Sequence, residues 1–169
     1  MAGKLVQVAT NTVTSATANV TLTGIDSDDV YMVTVNNVAP VTDGATPYFR
    51  VTKSGTAQSD AEYDYAVKQL RTDTTFGNNA EVNINEWKAN DIGTNTGEVL
   101  NMILYLYNFN SSSEYSFMTQ EISQISSSGL HRGRQGGSVH TVASASDGIQ
   151  FLMSSGNIAS GTFTLYKVI

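Results

Sequence analysis

The sequence predicts an all-β protein, a jelly-roll-like β-sandwich of about eight to ten antiparallel strands. Three observations carry that expectation. The first is composition: 20 Thr, 16 Val and 9 Ile stand against only 9 Leu and 6 Glu. β-Branched side chains are stiff at χ1 and fit a pleated surface. The second is pattern, because apolar and polar residues alternate with period two in segments from end to end. The third is punctuation. Ser111-Ser112-Ser113, Asp147-Gly148, Ser155-Gly156-Asn157 and Ser160-Gly161 all supply turn chemistry between those segments.

The elements follow in order. A short strand covers residues 5–8. Residues 10–23 alternate and stop at Gly24. Residues 30–38 place Tyr31, Val33 and Val35 on one face. Residues 47–52 form a short strand closed by Lys53-Ser54-Gly55. Tyr63, Tyr65 and Val67 then share a face opposite Asp64, Ala66 and Lys68. Residues 100–109 make the strongest strand and 115–125 a long one. Residues 138–142, 149–153 and 162–168 complete the set. Residues 76–96 are the exception: rich in Asn, weakly periodic, and holding the only Trp. They read as a long loop excursion within a single domain spanning residues 1–169. Loops of that length in compact domains are usually functional or interfacial.

The strand at 100–109 carries a second message. Met102, Leu104 and Leu106 lie on one face, and Ile103, Tyr105, Tyr107 and Phe109 on the other. A strand with one solvated face alternates apolar with polar, so both faces here call for cover. One is the core. The other is covered by a neighbouring subunit or by the 76–96 excursion. Tyr105, Tyr107 and Phe109 are therefore candidate interface residues.

Charge and special residues exclude several classes. The formal net charge is −6, from 9 basic and 15 acidic residues, which argues against a duplex nucleic acid partner. No Cys is present, so disulfides, thiolate metal sites and a Cys nucleophile are out. Charged residues make up 14% of the chain and Pro occurs twice, unlike coiled coil, collagen or charge-driven disorder. No apolar run after Met1-Ala2-Gly3-Lys4 suits a signal peptide, and none suits a membrane helix. A protein that is neither membrane-spanning nor Sec-secreted, with no membrane partner, is the expectation.

Chemistry is sparse. His131 and His140 are the only imidazoles, and no Gly-x-Ser-x-Gly elbow places a nucleophile. No catalytic residue and no cofactor is expected. Asp26-Ser27-Asp28-Asp29 offers hard oxygen ligands for calcium but fails the EF-hand spacing. A hairpin turn whose Asp side chains bond nearby backbone is the preferred reading, and no metal is expected. His131-Arg132-Gly133-Arg134-Gln135-Gly136-Gly137 is the only local basic cluster. It reads as a flexible solvated loop. Its functional alternative is a docking loop, with Arg132 and Arg134 as candidate interface residues that grip acidic groups of a neighbour. Trp87 is the candidate glycan contact, although a lone Trp in an Asn-rich loop more often packs that loop down.

Several of these segments also carry a family resemblance. The run Ser155-Gly156-Asn157-Ile158-Ala159-Ser160-Gly161-Thr162-Phe163-Thr164-Leu165-Tyr166 resembles the ending of many tailed-phage virion structural proteins. Tyr31-Met32-Val33-Thr34-Val35-Asn36-Asn37-Val38, Tyr48-Phe49-Arg50-Val51 and Tyr105-Leu106-Tyr107-Asn108 resemble strands of the same group. Lys167 stands where that group usually has Gly, which puts the final turn in doubt. The resemblance covers most of the chain, more weakly in the middle. It implies a jelly-roll-like virion component present in several copies, of the head-decoration or appendage type, and it transfers no functional residue. The expectation is a non-enzymatic phage structural protein on the particle surface, head or tail. It would act through contacts with other virion proteins and with its own copies, as a homo-oligomer with a trimer favoured. The alternative is a receptor-binding tail adhesin that recognises host surface glycan.

Overall fold

The computed structural model describes residues 3–169, so Met1 and Ala2, on which the reading of the N-terminus partly rests, lie outside it. The protein is an all-β, jelly-roll-like sandwich of antiparallel sheets. The strands are β1 (Leu5–Val13), β2 (Asn19–Thr23), β3 (Tyr31–Pro40), β4 (Pro47–Lys53), β5 (Thr56–Ala57), β6 (Tyr63–Arg71) and β7 (Phe76–Ile84). They continue as β8 (Trp87–Lys88), β9 (Leu100–Tyr107), β10 (Ser116–Ile125), β11 (His131–His140), β12 (Gly148–Met153) and β13 (Ile158–Val168). The larger sheet has eight strands in the order β1-β13-β3-β9-β10-β11-β6-β7. The smaller runs β2-β12-β4-β5, with β8 also paired to β4.

The core forms where the two inner faces meet. Tyr31, Val33 and Val35 of β3 and Leu100, Met102, Leu104 and Leu106 of β9 face Val20 and Leu22 of β2, Phe49 and Val51 of β4 and Ile149 and Phe151 of β12, all buried. Phe151 bridges the layers, its ring 5.8 Å from Phe49 in its own sheet and 5.1 Å from Phe163 in the other. Each such aromatic contributes several kcal/mol at ~25 cal/mol per Å2 of apolar surface removed from water.

Three segments differ from the sequence expectation. Residues 10–23 are not one strand: the chain ends β1 of the large sheet at Val13 and starts β2 of the small sheet at Asn19. Residues 76–96 are not a loop excursion. Their first part is β7, a nine-residue edge strand paired to β6. Its periodicity is weak because an edge strand has little burial on either face. The later part, Ala89 to Ile92, packs under the inner side of the large sheet, where Gln124 donates to the carbonyls of Asn90 (3.1 Å) and Asp91 (2.7 Å). The basic, glycine-rich run at 131–137 is likewise not a flexible loop. It is the first part of β11, which sits between β10 and β6. Glycine is needed there because the chains approach closely: a Cβ on Gly136 would stand 2.4 Å from the Ala66 carbonyl oxygen and 2.6 Å from the Val67 Cα.

Candidate functional site

Two features of the large sheet are candidates, one on its outer face and one on its inner face near β7.

The outer face is built by strict alternation. On β9 the core side takes Leu104 and Leu106, so Ile103, Tyr105 and Tyr107 point away from the sandwich. Register places Tyr105 beside Thr119, and Tyr107 beside Phe117, which in turn neighbours Val139. Small residues continue this surface toward the edge: Gly137 pairs with Ala66, and Ala66 with Ala80. The result is an apolar trough of about 570 Å3, floored by Gly137, Ala66 and Ala80 and walled by Phe117 and Val82. Among the described residues no segment covers it. Phe117 is 45% exposed, Tyr105 40% and Val82 66%. Of the two covers expected for this face, the intrachain one is thereby excluded, since residues 76–84 form the edge strand of the sheet itself and residues 89–92 lie beneath it.

Three candidate residues are placed elsewhere than the sequence pattern suggests. Phe109 does not share the face of Tyr105. Asn108 takes a left-handed conformation (φ 58°) and reverses the phase, so Phe109 is buried in the core near Trp87. Trp87 is not a glycan contact: it is wholly buried, edge-on to Tyr63 at 5.1 Å. Its indole N–H lies 3.2 Å from both the Asp64 and the Val139 carbonyl oxygens. Arg134 is not displayed for docking, being 2% exposed on the inner side of β11. Arg132, two residues earlier and half-buried, is ion-paired with Asp91 of the same chain.

Arg134 lines the second feature, a polar recess of about 440 Å3 shared with Tyr48, Tyr65, Asn79, Glu81, Lys88, Asn90 and Asp91. Its Nη1 donates to the Ala89 carbonyl (3.0 Å) and its guanidinium lies 4.8 Å from the Tyr65 ring centroid. Nε and Nη2 are buried without a hydrogen-bond partner. Burial pushes the guanidinium down from its ordinary value, opposed by the Tyr65 hydroxyl and the Glu81 charge. Glu81 itself accepts from Lys88 and from the Tyr65 hydroxyl (2.8 Å), and the Lys88 bond chiefly holds its carboxyl below the usual range. Asp91 is raised by burial but brought below its ordinary value overall by Ser127 and Arg132. This recess was not foreseen from sequence; only the Arg-x-Arg spacing on a strand, which puts both side chains on one face, pointed towards it.

The Asp26–Asp29 segment is a closed electrostatic unit. Tyr31 donates to Asp26 (2.8 Å), Ser27 to Asp29 (2.8 Å), and the Lys167 ammonium reaches both carboxylates at 3.4 and 2.9 Å. Lys167 is thus tied to this turn. Among the described residues no group of three or more His, Asp or Glu side chains is placed to hold a metal ion.

No protein-family model matches this chain, and no curated protein matches its sequence.

Proposed function

We propose that this protein is a non-enzymatic structural subunit of a phage particle, displayed on the virion surface and acting through contacts between subunits. One observation carries the assembly part: the outer face of the eight-stranded sheet holds an exposed apolar trough walled by Phe117 and Val82, with Tyr105 exposed on the same face beside Thr119. Contiguous apolar surface of this kind is a mark of interaction sites. The virion setting rests on the sequence resemblance of the β3, β4, β9 and β13 segments. A homotrimer on this face is the expected assembly. The adhesin alternative loses its proposed contact with the burial of Trp87.

Sedimentation velocity at micromolar concentration tests the assembly. The expected result is a trimer that Phe117→Glu and Tyr105→Ala dissociate without loss of the β spectrum. A monomer for the unmodified chain, at concentrations up to hundreds of micromolar, overturns self-assembly through this face. Immunogold labelling of purified particles tests the setting: label over head or tail supports it, and unlabelled particles with a demonstrably accessible epitope defeat it.

A further inference from the structure

The polar recess at Arg134 is independent of that trough and lies on the other side of the sheet. Its logic is one of unbalanced charge. A buried guanidinium is costly unless it is paired and hydrogen-bonded. Here no carboxylate is within ion-pair distance of Arg134. The two carboxylates of the lining are committed elsewhere, Glu81 to Lys88 and Asp91 to Arg132. The Tyr65 hydroxyl, itself donating to Glu81, is the neutral group that interacts with the Arg134 guanidinium. The donors left over are Nε and Nη2, the pair that forms the side edge of the guanidinium. That edge is the one that grips a carboxylate with two parallel hydrogen bonds.

The lining narrows the anion further. With Glu81 paired to Lys88 and Asp91 to Arg132, Arg134 is left as a single uncompensated positive charge, so a singly charged carboxylate fits better than a phosphate dianion. The other groups are those that hold hydroxyls: the Asn79 amide, the Tyr48 phenol, and the Asn90 amide, whose Nδ2 is buried without a partner. A carboxylate carried on a body rich in hydroxyl groups matches this inventory.

We propose that the recess binds the uronic-acid type of sugar, its carboxylate against the Nε–Nη2 edge of Arg134 and its hydroxyls on Asn79, Asn90 and Tyr48. Arg134 lines the recess but its Nε and Nη2 are buried, so binding includes a side-chain rearrangement in the lining.

The test is a titration of the isotope-labelled full-length protein with D-glucuronate, followed by backbone amide shifts. Expected are saturable shifts confined to residues around 79–81, 88–91 and 134, none with D-glucose, and at least a tenfold loss of affinity in Arg134→Met. Asn90→Ala, which leaves the β11 ladder untouched, should weaken binding several-fold and serves if Arg134→Met does not fold. The proposal is overturned if glucuronate gives no saturable shift, or if glucose or inorganic phosphate gives an equal one. Unchanged affinity in the variants also overturns it. So does tighter binding of a poly-glutamate peptide, which would assign the recess to a partner protein's carboxylate.

Discussion

The imidazole Nε2 of His140 stops 3.5 Å from a Glu62 carboxylate oxygen, yet the ring is uncharged. Burial pushes its pKa down to about 4, and the positive charge of Lys53 pushes the same way. Separation alone suggests an ion pair; desolvation decides otherwise. The ring is fully buried, tilted against Tyr63 with ring centroids 4.8 Å apart and without a hydrogen bond, while Glu62 is partly solvated.

The sign of the pH effect follows. The folded-state value lies below the unfolded value of about 6.5, so the unfolded chain takes up the proton first. Stability is fully present above about pH 6.5 and is lost as pH falls towards 4, by on the order of 3 kcal/mol. Urea midpoints measured across this window should fall, and His140→Phe should flatten the part between pH 6.5 and 5. An equally steep profile in the variant would place the effect on other groups.

Trp87→Ala should cost about 3–5 kcal/mol, the range for emptying a large core aromatic. The same site gives a spectroscopic check. The emission of the only Trp should be blue-shifted and poorly quenched by iodide in the native protein, and red-shifted on unfolding. Strong native quenching would contradict its burial.

Neighbouring residues on β9 should separate core from surface. Leu104→Ala should lower stability by about 2–5 kcal/mol. Tyr105→Ala should change the stability of the dissociated subunit by less than about 1 kcal/mol while weakening assembly. Equal effects on subunit stability would show that the outer face is covered.

Two adjacent glycines provide a matched comparison. Gly136→Ala drives a methyl into the β6 backbone and should destabilise by about 1–3 kcal/mol. Gly137→Ala meets nothing within 4 Å and should be close to neutral. Thermal unfolding of the two variants side by side reads the difference.

Strands with one buried face were legible from sequence, because alternation records burial directly. Tyr31, Val33 and Val35 are buried together on β3, as are Tyr63, Tyr65 and Val67 on β6. What escaped had no such record. Phe76 at 67% and Val82 at 66% exposure sit on an edge strand, where apolar residues mark no core. β11 has glycines where a strand usually carries branched residues, and their purpose is visible only beside β6. Phe109 was misplaced because one residue, Asn108, breaks the two-residue period. The Arg134 recess draws on β4, β6, β7, β8 and β11, whose proximity is a matter of topology and not of spacing.

Both rims of the large sheet are nine-residue strands, and each carries one surplus residue. On β1 Val8 is the unpaired extra between Gln7 and Ala9. On β7 the ladder slips between Ile84 and Glu81, with Asn83 left-handed and its N–H held by Asp64 at 2.7 Å. Such kinks turn a rim away from flat pairing with another chain. A joint from β1 of one molecule to β7 of the next would be head-to-tail, and without closure it would grow into a fibre. The two bulges act as stoppers against that outcome.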